Sequence, residues 1–463
     1  ISTSQNQTIS WGTITVKNIL KITGYIAAFF LTIDSTLAQI DSSLLAGLRA
    51  REIGPAVVSG RITAIDAVNS NPDNIVVGTA TGGVWISKNG GTDWVPVFEK
   101  EACASIGAVA INQNNPDLIW VGTGESNMRN STSIGCGIFK SVDGGNSWSN
   151  AGLEDSEHIG RISLHPDNPD IAYVAALGKL WASNEERGLY KTTDGGNNWK
   201  RVLYVDENTG ASDVQMDPTN PNKLFASMWQ FRRWPHFFNS GGPGSGLYVS
   251  HDAGENWEQF SEEDGMPEGE LGRAAFSISP SNPQRVYALV ESKKTTLLQS
   301  NDGGDSWKTI NTETYIGSRP FYYSHIVPDP QNPEVLYHLT SRLRKSIDGG
   351  KTFSFVNAVD CCAPGNFLHV DIHALWINPN ETSHLIIGGD AGLGVSRNSG
   401  DTARFVGNLP LAQFYHIAVD NDLDYHVYGG MQDNGAWRGA GEVFENGEIR
   451  NFHWQEVGMG DGF

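Results

Sequence analysis

Short apolar runs recur along the chain, and turns set their spacing rather than a helical period. Gly137-Ile138-Phe139-Lys140-Ser141 meets Val142-Asp143-Gly144-Gly145, and Trp148 follows. Glycine supplies positive φ in such a turn, and the aspartate accepts hydrogen bonds from its own backbone, so the stretch predicts a β-hairpin. The unit returns as Ser87-Lys88-Asn89-Gly90-Gly91 with Trp94, Thr192-Thr193-Asp194-Gly195-Gly196 with Trp199, and Ser250-His251-Asp252-Ala253-Gly254 with Trp257. Then come Ser300-Asn301-Asp302-Gly303-Gly304 with Trp307 and Ser346-Ile347-Asp348-Gly349-Gly350 with Phe353. A worn copy, Ser396-Arg397-Asn398-Ser399-Gly400, lacks the tryptophan. The seven Asp/Asn positions (89, 143, 194, 252, 302, 348 and 398) stand 46 to 58 residues apart.

A second mark precedes the boxes. An Asn-Pro turn separates two apolar runs, as at Asn71-Pro72, Asn115-Pro116, Asn168-Pro169, Asn220-Pro221, Asn282-Pro283 and Asn332-Pro333. One period then holds four short strands: A, Asn-Pro turn, B, loop, C, box turn, D. The predicted fold class is all-β, a β-propeller of four-stranded blades with A innermost and D outermost. After the seventh box, residues 414–419 and 426–430 repeat strands A and B, and Asn434-Gly435-Ala436-Trp437 resembles a third strand. Phe463 is reached without an eighth box. This reads as a partial eighth blade in a C-terminally truncated chain, within a larger ring or a protein of two propellers.

The Ser/Thr-x-Asp-x-Gly-x-x-Trp pattern is the Asp-box, or BNR repeat. It resembles sialidases, xyloglucanase-type glycoside hydrolases and the sortilin family. The longer pattern, from Gly60-Arg61-Ile62 to Gln432-Asp433-Asn434-Gly435, is similar to a group of bacterial exported proteins with a sortilin-like propeller. The resemblance implies that the box is a structural turn on the blade rim, away from any ligand. It also implies a secreted, periplasmic or cell-surface protein.

Composition fits this picture. The 463 residues include 53 glycines and 14 tryptophans, as a turn-rich, Trp-anchored repeat requires. The formal net charge of −20 argues against nucleic acid or an anionic membrane surface as a partner. Residues 1–39 read as an upstream extension and a signal peptide. Lys17 and Lys21 precede an apolar stretch too short for a comfortable membrane span, and Thr36-Leu37-Ala38 offers small residues for cleavage. The alternative is an uncleaved anchor. The propeller then occupies residues 40–463. The four cysteines form no Cys-x-x-Cys, which argues against structural zinc. In an exported protein Cys103 and Cys136 pair across neighbouring blades and Cys361-Cys362 form a vicinal bridge; free thiols are the other reading.

Binding chemistry is expected on the face carrying the B–C and D–A connections, where the insertions fall. Arg129 sits in one such loop, Trp229, Arg232, Arg233 and Trp234 in another, and Arg319, Tyr322 and Tyr323 in a third. Aromatics beside guanidinium groups suit glycans or peptides, or else they pack the loops onto the blades. His369, Asp371 and His373 have the residue types and alternation for a divalent metal, or they form a hydrogen-bonded strand start. The reading requires no cofactor. Arg61, Arg161 and Arg273 open innermost strands and suit a carboxylate, but Arg61-Ile62-Thr63 departs from the Arg-Ile-Pro of sialidases. The xyloglucanase resemblance implies a catalytic Asp in the first blade, where the matching stretch reads Thr79-Ala80-Thr81-Gly82-Gly83; Ala80 is neither acid nor base. Candidate catalytic carboxylates are Asp390, Asp433 and Glu125. The expected function is an exported propeller that binds peptide, protein or glycan; a glycoside hydrolase is the alternative, and a structural module of a longer secreted protein is a third.

Overall fold

The computed structural model describes residues 47, 51, 53–54, 59–323, 325–359, 368, 370–445 and 449–462. The chain divides into two compact units, Ile1–Glu52 and Ile53–Phe463. The leader reading, the Cys361-Cys362 pair and His369 lie outside the described residues. None of the described helices is long and apolar enough to cross a membrane.

The second unit contains eight antiparallel sheets, each ordered by sequence from its first strand to its last. The first seven are the blades. Their innermost strands are Ile62–Val68, Ile106–Ile111, Ile159–Leu164, Thr209–Asp217, Ala274–Ile278, His325–Pro328 and Ile372–Ile377. Each blade packs on the next, and the first strand of blade 1 packs on the first strand of blade 7. The closure is an apolar seam: Ile62, Ile75, Val77 and Trp85 meet Trp376, Ile386, Leu393 and Val395. Glycines on second strands make room for it. A Cβ on Gly78 would strike Ile106 of blade 2, and a Cβ on Gly388 would strike Ile62 of blade 1. The same notch therefore joins neighbouring blades and shuts the ring.

The box turns form as their chemistry requires. Ser141 Oγ donates to Asp143 Oδ1 at 2.8 Å, Gly145 N–H donates to Ser141 Oγ at 2.9 Å, and Ser147 N–H donates to Asp143 Oδ1 at 2.9 Å. Gly144 N–H then ties the box to the Asn-Pro turn through Asp117 O at 2.9 Å. Trp148 Nε1–H reaches back to Val97 O of the preceding blade at 2.8 Å. The worn copy keeps the geometry, with Ser396 Oγ 3.0 Å from Asn398 Oδ1 and Gly400 N–H 2.9 Å from Ser396 Oγ.

Two features differ from the expectation. The ring closes with seven blades, and the eighth sheet stands outside it as a complete four-stranded sheet, Phe414–Val419, His426–Met431, Ala436–Ala440 and Trp454–Gly458. Its first strand is uncovered: Ile417 is 72% and Val419 64% exposed. Blade 4 also carries a fifth strand. Asn220–Trp234 runs far beyond its sheet and folds back as Phe237–Ser240, which makes a projecting hairpin.

Candidate functional site

Near the mouth, the innermost strands carry bulges. In blade 1 Ile62 faces Thr79 and Ala64 faces Gly78, so Thr63 is the extra residue. In blade 7 Ile372 faces Gly389 and Ala374 faces Gly388, so the extra residue is His373. A bulge bends a strand and re-aims its side chains. Two residues of the metal reading are described, and each meets a protein partner. Asp371, at φ 68°, hydrogen-bonds Tyr323 Oη and lies 3.7 Å from Arg319 Nη1. His373 turns to Asp390 Oδ1 at 2.7 Å. Among the described residues, the one group of three with metal-ligand types in reach is Asp420, Asp422 and His426, on the first turn of the eighth sheet.

The three candidate carboxylates converge on one buried arginine. Arg61 Nη1 is 2.6 Å from Glu125 Oε1, Nε is 2.6 Å from Asp390 Oδ1, and Nη2 is 3.5 Å from Asp433 Oδ2. Arg129 Nη1 lies 3.6 Å from Asp390 Oδ2 and 3.4 Å from Asp433 Oδ2, and it donates to Tyr322 Oη at 2.9 Å. Tyr322 Oη donates in turn to Asp390 Oδ2 at 3.0 Å. Blades 1, 2 and 7, the eighth sheet and the link between blades 5 and 6 thus each supply part of one ion network.

Burial would raise the Asp390 carboxyl, but Arg61 and His373 outweigh it and hold the group well below the usual carboxylate range. Asp433 goes the other way: burial and the nearby charge of Asp390 raise it. The two acids share Arg61 and Arg129 but are pushed apart, one down and one up. Asp433 also sits at φ 61°, a conformation that aspartate tolerates better than most residues. Its side chain is 21% exposed and that of Arg129 17%, while Arg61, Glu125, Asp390 and Tyr322 are sealed beneath them.

The remaining sequence candidates separate. Trp229 is fully buried and stacks on Phe231, with ring centroids 4.4 Å apart, so it packs the hairpin base rather than facing a ligand. Tyr322 and Tyr323 are buried and belong to the network beside His373. Arg319 lies over the Tyr322 ring at 4.6 Å. Trp234 is 40% and Phe237 47% exposed, and they stack with rings 14° apart at the hairpin tip; the Arg232 guanidinium lies 4.5 Å from the Trp234 ring centre. Arg233 bonds Asn130 in the Arg129 loop, which links the hairpin to the mouth.

Sequence reasoning named Arg61 as a holder of a ligand carboxylate, whereas it holds the protein's own. The Gly-Arg pairs are also not equivalent. Arg61 and Arg273 occupy the same strand position, accepting the N–H of Ala80 and of Glu291, while Arg161 faces Ala175 further down its strand. The same backbone bond sets Asp390 of blade 7 at the position that Ala80 holds in blade 1. Cys103 and Cys136 form a disulfide that ties the link between blades 1 and 2 to the loop carrying Glu125 and Arg129.

No family model matches the chain. It is similar to a probable oligoxyloglucan-reducing end-specific xyloglucanase of Neosartorya fischeri, 24% identical over 223 residues, which is 46% of this chain and 25% of that protein. The Emericella nidulans oligoxyloglucan-reducing end-specific xyloglucanase is 25% identical over 230 residues, 45% of this chain and 25% of that protein. The matched stretch thus spans a quarter of the length of these curated relatives. Among solved structures, the GH74 xyloglucanase of Xanthomonas campestris aligns with a TM-score of 0.60 at 17% identity, over 84% of this chain and 60% of that one. An ancestral GH74 enzyme aligns at 0.57 and 17%, over 84% and 54%. The chain is a β-propeller similar to those of xyloglucanases. At this identity the structural likeness speaks for the fold.

Proposed function

We propose that this chain is an exported propeller that binds a glycan at the channel mouth, with Arg129 and Asp433 as polar contacts and the Trp234–Phe237 pair as a stacking surface. The observation that carries the reading is the arrangement of the ion network. Its members are locked against one another, and only Arg129 and Asp433 present edges to solvent. A fork of donors beside a carboxyl group suits sugar hydroxyls, and exposed rings suit the faces of pyranoses. The Cys103–Cys136 disulfide fits an oxidising compartment.

A second reading, hydrolysis, is favoured by the raised carboxyl of Asp433, which suits a general acid, and by the relatives named as xyloglucanases. Asp390 is a poor partner for it. Glycosidases hold two carboxyl groups about 5 Å or more apart with the sugar between them, whereas Asp390 is buried and taken up by Arg61, His373 and Tyr322.

The test is a glycan array containing xyloglucan oligosaccharides, run beside a peptide library, with and without EDTA. Glycan capture is expected, insensitive to EDTA. Trp234→Ala should weaken it by up to about tenfold, the worth of one aromatic contact. Asp433→Asn should weaken capture with no turnover in either protein. Turnover lost in Asp433→Asn with capture retained would establish the hydrolase reading. Capture of peptides alone would overturn the glycan reading.

A further inference from the structure

Below the mouth, the innermost strands enclose a channel cavity of about 320 Å³ whose polar lining includes Ser126, Asn127, Arg161, Gln215, His325 and His373. One side of it is cationic. Arg161 Nε pairs with Asp213 Oδ1 at 2.9 Å, and its Nη2 lies 3.5 Å from His325 Nδ1. Arg161 has no proton to lose, so it donates and His325 accepts at Nδ1. The imidazole, held neutral by burial and by Arg161 and Arg273, then carries its proton on Nε2 and offers a second donor. Behind Asn127 stands Arg273, fully buried. Its Nη1 donates to Asn127 Oδ1 at 3.4 Å and to Phe321 O at 2.9 Å, both uncharged acceptors. Among the described residues no carboxylate oxygen lies within 4.0 Å of this guanidinium. Asp213 and Glu291 act on it from further away.

A buried charge whose direct partners are all neutral is costly unless something repays it. In a chain of net charge −20, two arginines, a neutral histidine donor and an asparagine around one cavity are an unusual concentration of donors. We propose that the channel binds a small oxyanion, a carboxylate or a phosphate group, held by Arg161, His325 and the amide of Asn127, with Arg273 supplying charge from behind. The cavity is large enough for one sugar-sized ligand bearing such a group. This site is independent of the neutral glycan contacts proposed at the mouth.

The experiment is calorimetric titration of the full chain with inorganic phosphate, glucuronate and glucose. Saturable one-to-one binding of phosphate or glucuronate, and not glucose, is expected. Preference for glucuronate identifies a carboxylate site and preference for phosphate a phosphate site. Asn127→Asp places a carboxylate beside Arg273 at constant size. It should raise the melting temperature and weaken anion binding at least tenfold. Arg161→Gln should weaken it similarly, while Arg201→Gln, on the exposed surface, should change nothing. Absence of saturable binding up to about 10 mM, or binding equally strong in a folded Asn127→Asp protein, would overturn the proposal.

Discussion

The two faces of the ring are built on opposite rules. On the box face the bonds that shape each turn are local and repeated. Asp143 is bound by Ser141, two positions away, and by Ser147, four positions away, and the arrangement recurs blade after blade. At the mouth the bonds of the two guanidinium groups are distant and made once. Arg61 meets Asp390 across 329 residues, and Arg129 meets Asp433 across 304. The backbone position that sets each mouth loop is filled by Ala80, Gly124, Leu177, Glu291, Asp390 and Gln432 in different sheets. A repeat can copy its turn chemistry, since each copy is self-sufficient. A site needs the copies to differ, since one cation must meet several unlike partners.

The comparison breaks most sharply at Arg61. Arg61→Met leaves Glu125 and Asp390 buried without their cation, and removing one partner of such a pair costs about 3–5 kcal/mol. Denaturant unfolding of the variant should show that loss, together with loss of ligand capture. The next effect is expected at the disulfide. Cys103 and Cys136 are 33 residues apart, and opening a loop of that size costs about 2–4 kcal/mol. Because Glu125 N–H is held by Ser105 Oγ and Ser133 O beside the bridge, Cys103→Ser/Cys136→Ser should also loosen the Glu125–Arg129 loop. A lower melting temperature with unchanged capture would show that the loop does not depend on it. Ser141→Ala comes third. It strands the buried Gly145 N–H, which costs about 1–3 kcal/mol. Capture should survive, since the other boxes hold their own blades.

The same contrast decides what was legible in the sequence. The boxes, the Asn-Pro turns and the four-strand period were plain because turn geometry is encoded within five residues, as in Ser141 to Gly145. The mouth loops were identifiable as the irregular ones, and Glu125, Asp390 and Asp433 do meet there. Their shared partner was not visible, because nothing near Arg61 in sequence tells it to meet residue 390. At His373 a bulge adds one residue, which alternation alone does not show. Trp229 and Trp234 stand five residues apart on one strand, yet one is buried and the other lies at a hairpin tip. That outcome is set by the fold-back of Phe237–Ser240, whose strand signal is weak beside Gly241-Gly242-Pro243.

The smallest expected effect lies along the pH axis. Asp143 is held down to about 2 by the Ser147 hydroxyl and N–H, and Asp252 to about 2 by the Asn256 backbone and side chain. In the unfolded chain such groups titrate near 3.9, so between about pH 4 and pH 2 the unfolded state binds more protons. The stability they contribute is present above that window and is lost as pH falls through it. Asp433, raised in the folded state, has the opposite sign: its contribution is present below its unfolded value and is lost as pH rises through its folded one. Asp66, pushed up to about 7 by burial, acts in the same direction, and Glu157 and Glu291 are also raised. Melting temperature against pH should therefore fall on both sides of a maximum. Asp433→Asn should flatten the upper limb in part, leaving the share of Asp66. Replacing Asp143 by asparagine should soften the acid limb alone. If replacing Asp143 moved both limbs, its turn would be coupled to the mouth through the blade rather than built independently.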